Sequence, residues 1–190
     1  MPMGERKTIM HIFFSKIKAF ILVPVILASV LITDNTLSSD MDKVKKHTLT
    51  NMPNMDQVKC LATNIYYEAR MEPIQGQAAV ARVVVNRVKH GFAKTPCKVV
   101  YQVTYLNMGA ERPNVKVCQF SWVCEGVGKP NERDPNYQRA MKIAYEVLAL
   151  DRYKEVVPRS TLFFHATHIA PNWPYRRIKQ IGNHIFYSKA

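Results

Sequence analysis

Hydrophobic positions follow three different patterns along the chain. From Ala19 to Ile32 the run AFILVPVILASVLI holds 14 residues without a charge. Residues 34–54, DNTLSSDMDKVKKHTLTNMPN, show no apolar period and read as a polar linker. From Met55 onward helical periods take over. At 100° per residue, Val58, Leu61, Ala62, Ile65 and Ala69 fall within about 60° of one direction, which predicts an amphipathic helix capped by Asp56. On that wheel Glu68 stands only about 20° from Leu61, at the rim of the inward face, while Arg70 points nearly the opposite way.

Met71 to Gly76 is a joint, with Pro73 tolerated at the first turn of a second helix. Glu72 reads as a cap of this joint. In the second helix Ile74, Ala78, Ala79, Val80, Ala81, Val83, Val84, Val85 and Val88 wrap most of the circumference, and Gly91 stops it. Only Gln75, Arg82, Asn86 and Lys89 form a polar stripe. A helix apolar on nearly all sides belongs at the centre of a core. Thr95 to Gln102 predicts a short helix, and 103–133 is loop-rich. Asp134-Pro135 opens a further helix that buries Tyr137, Ala140, Met141, Ala144, Val147 and Leu148. The aromatic runs at Thr161–His165 and His184–Tyr187 predict strands that pair as a small ribbon. The expected fold is α+β, mostly helical, with one domain over 55–190.

Charge narrows the function. The 190 residues hold 27 Lys and Arg against 14 Asp and Glu, a net +13 that calls for an anionic partner. Residues 1–33 combine Arg6, Lys7, Lys16 and Lys18 with the apolar run. That pattern reads as a signal peptide or an uncleaved N-terminal membrane anchor, since 14 residues are short for a spanning helix. Residues 34–190 keep +10 of the charge. The basic character therefore belongs to the exported part, which favours an anionic envelope surface over nucleic acid. Four cysteines in an exported domain predict two disulfides with three possible connectivities. The short spacing of Cys118 and Cys124 favours that pair, leaving Cys60 with Cys97. A zinc site fits poorly, because no C-x2-C pair exists.

The signatures G-x-S-x-G, H-E-x-x-H, G-x-x-x-x-G-K and G-x-G-x-x-G are all absent. The best remaining candidate is Glu68. A carboxyl on the rim of an apolar face is desolvated and holds its proton towards neutral pH, which suits a general acid in glycosidic cleavage. The alternative is an ordinary ion pair with a nearby Lys or Arg, or a solvated helix end. His165 and His168 are candidate bases or ligands. Trp122, Trp173 and Tyr175 are candidate sugar platforms or core residues.

The block from Cys60 through Tyr67-Glu68-Ala69-Arg70-Met71-Glu72-Pro73 and Gly76-Gln77 to Asn86-Arg87-Val88 resembles the SleB/CwlJ-type cell wall hydrolase family. So do Cys118-Gln-Phe-Ser-Trp122, Cys124-x-Gly126, the strand ending at His165, Pro171-x-Trp173 and Ile181-Gly182-x-His184-x-Phe186-Tyr187. The resemblance spans about 57–188. It implies a compact lysozyme-like or transglycosylase-like fold; a monomer without cofactor or metal is expected. It also implies cleavage of the MurNAc–GlcNAc bond of peptidoglycan glycan strands, with Glu68 as acid. No second carboxylate stands out, so a lytic transglycosylase is expected, although Glu72, Glu125 or Asp134 approaching in space would allow plain hydrolysis. Asn64, Tyr67, Gln119, Ser121, Trp122, His165 and Trp173 are the expected sugar contacts. Met71 stands where the family usually has Gly, which predicts a strained or reshaped joint. A non-catalytic wall-binding protein and an amidase or peptidase of the stem peptide are the competing readings. Spore-cortex lysis, wall remodelling and a phage endolysin are all compatible settings.

Overall fold

The computed structural model describes residues 52–109 and 114–189. The expected export segment, and all but the last three residues of the expected linker, lie outside them. Helix α1 spans Met55–Ala69, and its N-cap is Asn54, whose side chain accepts from the Asp56 amide at 2.8 Å. Asp56 sits two residues later, within the first turn, where a negative charge meets free N–H groups. Val58, Leu61, Ala62 and Ile65 are wholly buried, as the wheel requires.

The joint is not strained. Arg70 keeps a right-handed helical backbone (φ −56°), and Met71 is not among the residues with positive φ. No left-handed turn exists there for glycine to serve, so an 83%-exposed methionine is tolerated. Helix α2, Ile74–Lys89, follows and is the central element. One side packs into a core with Leu61, Ile65, Trp122, Tyr137 and Val147, and the other into a smaller core with Val157 and Phe186.

Two members of the polar stripe expected on α2, Arg82 and Asn86, are buried together with Arg87, while Gln75 and Lys89 near the helix ends are exposed. Asn86 donates to Pro158 O and Thr161 O at 3.1 and 3.0 Å, Arg87 Nε donates to Leu162 O at 2.7 Å, and Arg82 Nη1 meets Asp151 Oδ1 at 2.6 Å. Asn86 and Arg87 thereby satisfy carbonyls of residues 158–162, and Arg82 pairs with the Asp151 carboxylate. Short helix α3, Pro96–Val100, is capped by Thr95.

The region expected to be loop contains a hairpin, β1 (Val103–Leu106) antiparallel to β2 (Val115–Cys118), and the single-turn helix α4 (Ser121–Cys124). Both strands are largely exposed, so they have no buried face and no alternation to read. Helix α5, Pro135–Ala149, is capped by Asp134 and packs on α1 and α2. Strands β3 (Thr161–Ala166) and β5 (His184–Ser188) pair antiparallel as expected. A third strand, β4 (Arg176–Ile181), adds to the far side of β5. Its sequence RRIKQI hides it: basic side chains on an edge strand suppress pairing with other chains and also erase the hydrophobic period. The disulfides join Cys60 to Cys97 and Cys118 to Cys124.

Candidate functional site

Glu68 ends the inward face of α1 one residue before buried Ala69, and it opens into a groove of about 730 Å³. The groove runs between α1, α4 and the β3–β5 sheet. Burial pushes the Glu68 carboxyl up to about 7; the positive charge of Arg87 opposes this and the charge of Glu125 adds to it. Among the described residues no ion pair involves Glu68.

Arg87 is the residue that reading the pattern alone missed. It comes from α2, is 4% exposed, and lines the same groove. Its guanidinium lies over Phe92, Phe120 and Phe163, with 5.4 to 5.8 Å to the ring centroids. Nε is satisfied by Leu162 O, but buried Nη1 has no hydrogen-bond partner. Burial lowers its pKa to about 10, so it remains a cation, with Glu68 favouring the charged form. The signal was available: a charge on a helix without a solvent face has to be buried, and a buried charge needs a counterpart.

Of the expected sugar contacts, Tyr67, Gln119, Ser121, Trp122, His165 and Trp173 line the groove together with Glu68. Asn64 does not. It is wholly buried beneath the groove, where its Oδ1 accepts from Trp122 Nε1 at 3.1 Å. It faces the core because it shares the α1 face of Leu61 and Ile65. Trp122 is itself 7% exposed and stacks on Tyr67, with centroids 4.9 Å apart. Trp173 is the exposed ring of the wall, 38% accessible and packed on Phe163, His165 and Tyr187. Tyr175 stacks flat on Phe163 at 4.1 Å and supports that wall. His165 sits between Ala166 O and Tyr187 Oη, both at 2.9 Å. A carbonyl only accepts, so Nδ1 carries the proton and Nε2 accepts from the tyrosine. His168 is exposed and does not line the groove.

The other carboxylates sort clearly. Glu125 lines the groove. Asp134 is held by Tyr66 Oη at 2.7 Å and by the Asn136 amide as the α5 cap. Glu72 accepts from the amide and side chain of Asn183 at 2.9 and 3.1 Å and approaches His184 Nδ1 at 3.9 Å. It pins the β4–β5 turn to the joint and takes no place in the groove. Among the described residues no group of acidic, histidine or cysteine side chains is arranged to hold a metal.

A family model described as Cell Wall Hydrolase matches residues 71–187, more than half of the chain. The chain belongs to the cell wall hydrolase family. It is therefore an enzyme, in a family that works on the bacterial wall. Glu68 stands three residues before the matched stretch, so its candidacy rests on the groove. Two solved structures are similar over almost their whole length. The catalytic domain of germination-specific lytic transglycosylase SleB from Bacillus anthracis is 25% identical, with TM-score 0.50, covering 72% of this chain and 97% of that one. The catalytic domain of the Bacillus cereus SleB protein is 27% identical, with TM-score 0.49, covering 73% and 97%. No curated protein matches the chain.

Proposed function

We propose that the enzyme cleaves the MurNAc–GlcNAc glycosidic bond of peptidoglycan as a lytic transglycosylase, with Glu68 as its one acid and base. The observation that carries this reading is a carboxyl with a pKa of about 7 in an open groove beside a buried cation. Such a group holds a proton near neutral pH yet can release it.

Protonated Glu68 gives its proton to the glycosidic oxygen. The bond from that oxygen to MurNAc C1 breaks, and positive charge develops on the sugar ring. The new Glu68 carboxylate is favoured by the Arg87 charge. The sugar's own 6-hydroxyl then attacks C1 and returns its proton to Glu68. The products are a 1,6-anhydro-MurNAc end and a free GlcNAc 4-hydroxyl, and the acid is restored. Trp173 offers a stacking face, and Tyr67, Gln119, Ser121 and His165 offer polar contacts along the groove. The similar SleB of Bacillus anthracis is described as a lytic transglycosylase, which supports the same outcome here.

Glu125 favours a second reading, because a second carboxylate in the groove can activate water and give hydrolysis instead. Mass spectrometry of digested glycan separates the two: anhydro ends support transglycosylation, and reducing ends overturn it. Loss of both products in Glu68→Gln supports the acid, and retained lysis removes it. Two disulfides fit work outside the cytoplasm, and the net +13 fits adsorption to an anionic envelope that weakens with salt.

A further inference from the structure

A second cavity, of about 470 Å³, adjoins the groove across a shared wall. Trp122 and Val127 line both spaces. Tyr67 from the groove donates its hydroxyl to Gly128 O on the second cavity's lining, which ties the wall in place. The cavity has an ordinary size for a ligand site.

Its chemistry differs from that of the groove. Two cations, Lys59 and Lys129, and two anions, Asp56 and Glu132, surround it beside the aromatic faces of Tyr101 and Tyr137. Among the described residues none of the four charges takes part in an ion pair. A neutral glycan offers no counter-charge to any of them. A zwitterionic peptide offers counter-charges to both signs. In peptidoglycan such a peptide hangs from the lactyl group of MurNAc, so it leaves the glycan strand beside the bond under attack. We propose that this second cavity binds the stem peptide, its carboxylates at Lys59 and Lys129 and its free amine at Asp56 and Glu132. The assignment rests on the groove holding peptidoglycan glycan, and it makes the enzyme prefer strands that still carry their stems.

Two measurements on the full chain test it. The first is titration of Glu68→Gln protein with a synthetic stem tetrapeptide containing a diamino acid. Saturable binding is expected, weakened about tenfold or more by the double charge reversal Lys59→Glu/Lys129→Glu and by acetylating the peptide amine. Absence of saturable binding, or binding indifferent to both changes, overturns the proposal. The second compares kcat/KM on stem-bearing strands with the same strands stripped by an amidase. The wild type should favour stem-bearing strands about tenfold through KM, and the double variant should bring the ratio near one, with an unchanged melting temperature. A wild-type ratio of one, or a ratio untouched by the charge reversal, overturns the proposal. Peptide binding with neither strand cleaved sinks the glycosidase reading and leaves the peptide site standing.

Discussion

The indole N–H of Trp122 donates to Asn64 Oδ1 across 3.1 Å, with both side chains almost wholly removed from solvent. Trp122 in turn stacks on Tyr67, and both line the groove. Asn64 therefore fixes the groove wall from below without touching its contents. Asn64→Ala leaves a buried indole N–H unsatisfied, a loss of about 1–3 kcal/mol. Thermal melting should show that loss, and kinetics should show a higher KM from a loosened Tyr67–Trp122 pair. An unchanged melt with an unchanged KM would contradict this role.

Glu68→Gln separates chemistry from stability. Activity needs the protonated acid, so wild-type rate should decline as pH rises through about 7. The stability sign follows from the raised pKa. Between the usual carboxylate value and about 7 the native state binds the proton and the unfolded chain does not. Wild-type stability therefore falls as pH rises through that window and levels off above it. Gln has no charge to bury, so at pH 8 the variant should be more stable, by on the order of 2 kcal/mol. At pH 4 the two should melt alike. Equal melts at both pH values would show that Glu68 is not desolvated.

The helical half of the fold was legible because its periods are long and its caps local. The apolar girth of α2 and the inward rim position of Glu68 both follow from spacing alone. The strands β1, β2 and β4 were not legible, since exposed or basic edge strands lack a hydrophobic alternation and take their order from the partner strand. Arg82, Asn86 and Arg87 show the converse limit. On the wheel Arg82 and Asn86 share one polar stripe with Gln75 and Lys89, and which of these polar residues are buried is decided by the 151–162 segment, dozens of residues away, which supplies carbonyls and a carboxylate. Asn64 was misread for the same reason, its partner lying 58 residues on.

Arg87 should set the pH profile. Its cation holds the Glu68 pKa below what burial alone would give. In Arg87→Met the alkaline limb of the rate profile should move to higher pH. The conjugate base also loses its counter-charge, so the maximal rate should drop about 10- to 100-fold. Arg87→Lys keeps the charge and should restore the position of the limb. A purely structural role predicts a lower melting temperature with the limb unmoved in both variants.

Glycine at 182 is required by its neighbour. It turns β4 into β5 at φ +56°, and a β-carbon there would fall 1.9 Å from Glu72 Oε2. That carboxylate receives both donors of Asn183 and stands 3.9 Å from His184, which lines the groove. Gly182→Ala must therefore both strain the left-handed turn and displace Glu72, a loss on the order of 2 kcal/mol. Shifting the turn also shifts His184 and the sheet that forms one side of the groove. Melting should fall by several degrees, and kcat/KM should fall further than for an equally destabilising change in α5. Gly182→Ala/Glu72→Ala removes the clash but not the strain, and it forfeits the Asn183 bonds, so it should recover only part of the stability. Full recovery in the double variant would mean that the Asn183 bonds contribute nothing to holding the turn.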